Sequence, residues 1–129
     1  MVNNRWFGIA AIFCGLSVAI GAFGAHAMKE ILDDSGMQTW NTSVKYMMFH
    51  STALLITSFA IHFNSKEKLF RYASIAFVVG IVLFSGSLFL LAITGIRPLG
   101  AVTPVGGIFQ IVGWICLAIA GFKKQQPEG

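Results

Sequence analysis

The sequence predicts an all-α membrane protein, a bundle of four transmembrane helices with both termini in the cytoplasm. Three observations predict it. The 129 residues include nine Lys or Arg and five Asp or Glu, 11% of the chain, against roughly 25% in an ordinary soluble domain. These charges are segregated. The runs Trp6–Met28, Tyr46–Ser65, Tyr72–Ile96 and Pro98–Phe122 carry none and are 23, 20, 25 and 25 residues long, and about 20 apolar residues cross a hydrocarbon core about 30 Å thick. Finally, the bases are uneven. Arg5, Lys66, Lys68, Arg71, Lys123 and Lys124 fall on one side, and Lys29, Lys45 and Arg97 on the other. Basic residues mark the cytoplasmic face, which sets the orientation. One integral domain then fills residues 1–129, with spans at about 6–28, 44–64, 72–95 and 103–122. A soluble enzyme domain, a nucleic-acid module and a receptor with a folded ectodomain are excluded.

The first span follows Arg5 and ends near Ala25-His26-Ala27, a small-x-small pattern that would suit signal cleavage. Its apolar run exceeds the 7–15 residues of a signal peptide, so it reads as a retained helix. The connection from Lys29 to Lys45 is the longest. Asp34-Ser35-Gly36 reads as a turn in which Asp34 or Ser35 caps a second helix that starts before the membrane, with Trp40 and Tyr46 at the interface. Asn64 to Arg71 forms a short hairpin. Gly95 to Gly100 is rich in chain breakers, and Pro104 suits the first turn of the fourth helix, where its missing N–H costs nothing. The tail from Lys123 is short and polar, and disorder is expected there. Cys14 and Cys116 lie in apolar spans at similar depth, where free thiols behave as small apolar groups and a disulfide is the lesser alternative.

Each span carries small or polar residues at spacings of three and four, or of seven. They are Ala10, Cys14, Ser17, Gly21 and Gly24 in the first; Tyr46, His50, Ala53, Thr57 and Ala60 in the second; Ala73, Gly80, Ser87 and Thr94 in the third; and Thr103, Gly106, Gln110, Gly113 and Ala120 in the fourth. Lipid tails are as apolar as Leu, so helices associate through close backbone approach at small residues and through polar contacts. These stripes are therefore expected to face one another as packing surfaces, with Gln110 bonding Ser17 or Ser87.

No Asp or Glu lies within a charge-free run. A proton-coupled exporter driven by a buried carboxylate therefore lacks its working group. The candidate polar cluster is His26, His50, Tyr46, Arg97 and Gln110, joined by Thr94 and Thr103. His26, His50 and Arg97 are expected to share the outer mouth, with Arg97 either snorkelling to the headgroups or pairing with Asp33 or Asp34. Histidine titrates near neutral pH, but two histidines without a third ligand are a weak metal signal. The residues call for no catalytic group, no metal and no cofactor.

Several segments together resemble a known family. They are Gly21-Ala22-Phe23-Gly24-Ala25-His26-Ala27, Tyr46-Met47-Met48-Phe49-His50, Phe84-Ser85-Gly86-Ser87-Leu88, and Leu99 through Gly107 followed by Gly113-Trp114. Their order and content are similar to the small bacterial membrane proteins of domain of unknown function 423, whose animal relatives include transmembrane protein 256. The resemblance covers almost the whole chain. It implies a four-span protein of the bacterial cytoplasmic membrane and supplies no activity. The expected role is a non-enzymatic membrane component that binds lipid or a partner, with a homo-oligomer or another membrane protein as candidates and no nucleic acid. The alternative is a small-solute transporter or channel subunit that uses His26, His50 and Arg97.

Overall fold

The computed structural model describes residues 4–123. Of the tail expected to be disordered from Lys123 on, Lys123 itself is placed, paired with Glu67, and residues 124–129 lie outside the described residues. Four helices follow one another: α1 (Arg5–Lys29), α2 (Asp34–Phe63), α3 (Lys68–Thr94) and, after a 3₁₀ turn at Arg97–Ala101, α4 (Thr103–Phe122). All four are long and apolar enough to cross a membrane. The described residues contain no strand.

Caps set the boundaries. Asn4 accepts from the Trp6 N–H at 3.0 Å, and its amide also donates to the Ser58 carbonyl at 2.7 Å, which ties the start of α1 to the end of α2. Asp33, one residue before the expected cap, accepts from the Gly36 N–H at 2.7 Å and starts α2. Helix α2 therefore begins ten residues before the expected span, and the first connection shrinks to Glu30–Asp33. Glu67 caps α3 through the Leu69 N–H and pairs with Lys123 at 3.1 Å. That N–H first, and the ammonium second, hold its carboxyl below the usual carboxylate range. Gly95 ends α3 with φ +68, the left-handed conformation that glycine tolerates best. Pro104 stands in the first turn of α4, as expected, and Pro98 stands in the first turn of the 3₁₀ segment.

Sequence neighbours pack as spatial neighbours, α1 on α2, α2 on α3 and α3 on α4, while α1 and α4 build no comparable interface. The Asn4–Ser58 and Glu67–Lys123 contacts gather Arg5, Lys66, Lys68, Arg71 and Lys123 at one end of the bundle. Arg97 and the α1–α2 connection occupy the other.

Large groups seat in glycine gaps along these seams. A Cβ added at Gly21 would come within 2.9 Å of Val44, and one at Gly24 within 2.6 Å of Trp40. Trp40 is buried there, its ring 4.7 Å from that of Phe89, and is not an interfacial anchor. Between α3 and α4 the rungs are Ser87 with Thr103, Phe84 with Gly106, Gly80 with Gln110, and Phe77 with Gly113. The stripes of α3 and α4 thus face each other. The α1 stripe meets Trp40 and Val44, large side chains filling the space its glycines leave.

Candidate functional site: the polar seam at α2, α3 and α4

His50 sits at the junction of three helices and is 3% exposed. The Trp114 indole N–H of α4 donates to its Nε2 at 3.1 Å, and its Nδ1 lies 2.9 Å from the Tyr46 carbonyl. An indole N–H can only donate. Nε2 is therefore the acceptor, the ring proton is on Nδ1, and the imidazole is neutral. Phe49, Phe77 and Trp114 place their rings 5.2, 5.7 and 6.0 Å from it. A second proton would set two N–H donors against each other and release Trp114.

The other candidates lie elsewhere. His26 is exposed in the last turn of α1, and Arg97 is exposed in the 3₁₀ turn. His50 packs on Phe77, seventeen residues before the end of α3, so about 25 Å of helix separates it from the Arg97 turn. His26 lies two residues beyond Gly24, which meets Trp40, ten residues before His50. That is about 15 Å along α2. The expected common mouth is therefore not assembled, because α2 starts at Asp34 and carries His50 deep into the bundle. Arg97 forms no ion pair with Asp33 or Asp34.

Tyr46 contributes its carbonyl to His50 and packs its ring 4.5 Å from Phe84, while remaining 40% exposed. Gln110 is buried over Gly80, and its amide nitrogen has no hydrogen-bond partner. The bond expected from Gln110 to Ser17 or Ser87 does not form. Ser17 donates to the Cys14 carbonyl, and Ser87 shares a 2.6 Å bond with Thr103. Thr94 is exposed and donates to Leu90. Cys14 and Cys116 are free thiols. Among the described residues no three His, Cys, Asp or Glu side chains form a metal-binding group.

A reciprocal pair of bonds between α2 and α3 was not singled out from the sequence. Ser43 donates to the Ser85 carbonyl at 2.8 Å, and Ser85 returns a bond to the Ser43 carbonyl at 2.9 Å. Both serines are buried. The available signal was a run of serines at helical spacing in α2, Ser43, Ser51 and Ser58, continuing the Trp40, Met47 and Leu54 face. It was obscured because Ser43 falls before the charge-free run. Each hydroxyl bonds the other residue's backbone carbonyl, so alanine at either serine removes one bond and leaves the other. Each change is expected to cost about 0.6–1.7 kcal/mol, with the two losses adding in the double variant. Unfolding in mixed micelles measures it, and no loss at either position would mean the bonds are not made.

Four apolar helices joined through buried serines, a neutral histidine and glycine gaps define an integral, multi-pass membrane protein. Residues 20–107 match the family described as "Protein of unknown function (DUF423)". The chain is 40% identical over 115 residues to the UPF0382 membrane protein YwdK of Bacillus subtilis, covering 89% of this chain and 94% of that one. It is 34% identical over 124 residues to a UPF0382 membrane protein of Haemophilus influenzae, covering 96% and 98% respectively. The protein belongs to this family of bacterial membrane proteins of unknown function. No solved structure matches it.

Proposed function

We propose that the protein is a non-catalytic membrane component that binds through its lipid-facing surface, with its interior serving to hold the helices together. One observation carries this reading: most buried polar side chains are bonded, either across the seam or to a carbonyl of their own helix. The Ser51 hydroxyl, the Trp40 indole and the Gln110 amide nitrogen are the exceptions among the described residues. Ser43 and Ser85 exchange bonds, Ser87 bonds Thr103, and Trp114 holds His50 in its neutral form. A transport path needs such groups free to exchange water, protons or solute. By contrast, two sizeable hollows open on the outside of α2. The basic end formed by Arg5, Lys66, Lys68, Arg71 and Lys123 supports a cytoplasmic placement of both termini.

The alternative of a channel or transporter subunit draws on Gln110, whose unpartnered amide lies in the middle of α4. Proteoliposomes separate the readings. The purified protein is expected to leave proton, potassium and small-solute leak equal to that of protein-free vesicles. A protein-dependent flux that Gln110→Leu abolishes would overturn the proposal.

A further inference from the structure

Lys45 lies far deeper than its place at the edge of a charge-free run suggests. Its neighbour Val44 fills the gap at Gly21, eight residues before the end of α1, and Ser43 bonds Ser85, nine residues before the end of α3. These counts put the Lys45 backbone about 12–14 Å below the ends of both flanking helices. The side chain leans toward the start of its own helix, and its four-carbon stem recovers about half of that depth. Lys45 is exposed on the outside of the bundle, and among the described residues it has no ion pair. An ammonium held at this depth on a lipid-facing surface requires an anion or water brought down to it.

Two hollows meet at this lysine, sharing Asn41 and Lys45 as lining residues. Below lies a groove of about 650 Å³ walled by Met48, Phe49, Ile56 and Trp114, with Thr52 in its floor. Above lies a polar hollow of about 390 Å³ walled by Asp34, Gln38 and Thr42. The apolar groove runs eleven residues from Lys45 to Ile56, about 16 Å of helix and about half of a 30 Å hydrocarbon core. A cation between an apolar trough one leaflet long and a polar hollow has the layout of a lipid.

We propose that this surface binds one glycerophospholipid, with its phosphate on Lys45 and Asn41 and an acyl chain along the groove toward Ile56. The inference builds on the reading that the outer surface of the bundle is the binding surface, and it names the ligand there. Thr52 offers no competing polar demand in the trough, because its hydroxyl donates to the Met48 carbonyl at 2.8 Å. Phe49 and Trp114, with rings 5.3 Å apart, form one wall. The phosphate supplies the counter-charge that the Lys45 ammonium lacks, and the headgroup beyond it reaches Gln38 and Asp34.

Native mass spectrometry of protein exchanged into phosphatidylglycerol, phosphatidylethanolamine or diacylglycerol tests this. Wild type is expected to retain one phospholipid of either headgroup at least tenfold more than diacylglycerol, which has no phosphate. Lys45→Gln is expected to abolish that preference, and Thr52→Trp to reduce retention of all three by blocking the trough. Both positions are exposed, so unchanged helicity and thermal midpoint in lipid-free detergent control for folding. Equal phospholipid retention by Lys45→Gln, or diacylglycerol held as well as phospholipid by wild type, would overturn the proposal. So would a dimer that dissociates in Lys45→Gln, because a second copy would then occupy the site. Vesicle flux without lipid retention sinks both readings; lipid retention with flux sinks only the non-transport reading.

Discussion

Gly106→Ala is expected to be the most damaging single-methyl change in the chain, lowering stability by about 2–3 kcal/mol. A Cβ there would meet the Phe84 backbone nitrogen, with the Phe84 Cα at 2.7 Å and Cβ at 2.8 Å. Carbon atoms prefer separations of about 3.5–4.0 Å. A side chain can rotate away, but the α3 backbone cannot, so α4 must move out by about 1 Å. That shift also loosens the Gln110–Gly80 rung and the Ser87–Thr103 bond, one turn to either side. Dispersion contact is the main force between helices in lipid, so the loss spreads along the seam.

The next residue supplies the control. A methyl at Gly107 comes no closer than 3.8 Å to the Phe84 ring, an ordinary contact. Gly107→Ala is therefore expected to change stability by less than about 0.5 kcal/mol. Thermal or SDS-induced unfolding of the two variants in the same micelles checks both. Equal midpoints for Gly106→Ala and Gly107→Ala would show that α3 and α4 do not approach at Gly106.

His50→Leu is expected to cost about 1–3 kcal/mol. It removes the acceptor of the Trp114 N–H and leaves that donor with nothing to bond. Trp114→Phe keeps an aromatic ring beside Phe77, 5.2 Å away in the native pair, but deletes the donor. It is expected to cost about 0.6–2 kcal/mol. The double variant should lose less than the sum, since either single change already breaks the same bond. Additivity within about 0.3–0.5 kcal/mol in denaturation measurements would mean that the bond is absent and that Trp114 serves only as packing. The prediction also separates structural from proton-carrying use of His50. A structural ring accounts for stability whatever gradient is imposed, and a carrier would make its substitution visible in proton flux.

Much of the architecture was legible because lipid imposes a severe filter. Every buried backbone group must be paired within a helix, and charges must lie outside the core. Four charge-free runs therefore announce four helices, and the breakers Gly95, Pro98 and Pro104 place the last connection within a residue or two. Small residues at helical spacing likewise identify seams. Gly21, Gly24, Gly80, Gly106 and Gly113 all meet another helix at close range. The start of α2 was legible within a residue from Asp34-Ser35-Gly36, although its first turns lie outside the charge-free run. What the residues did not show is that the Asp33 cap and contacts with α1 and α3 hold the polar stretch from Asp34 to Lys45 against its neighbours.

Composition alone thus established the membrane, the helix number and which faces are narrow enough for close approach, because each follows from local residue type and period. Pairing belonged to the tertiary structure. Whether Ser43 meets Ser85, whether His50 meets Trp114 or Arg97, and how deep Lys45 sits all depend on the relative height of antiparallel helices. That height is set by interlocking Phe84 with Gly106, Trp40 with Gly24 and Val44 with Gly21, contacts between residues far apart in the chain. A shift of one helical turn would leave every residue's composition and period unchanged and alter every partner. The charge-free runs carry no information on that shift, whereas the shapes packed against one another select it.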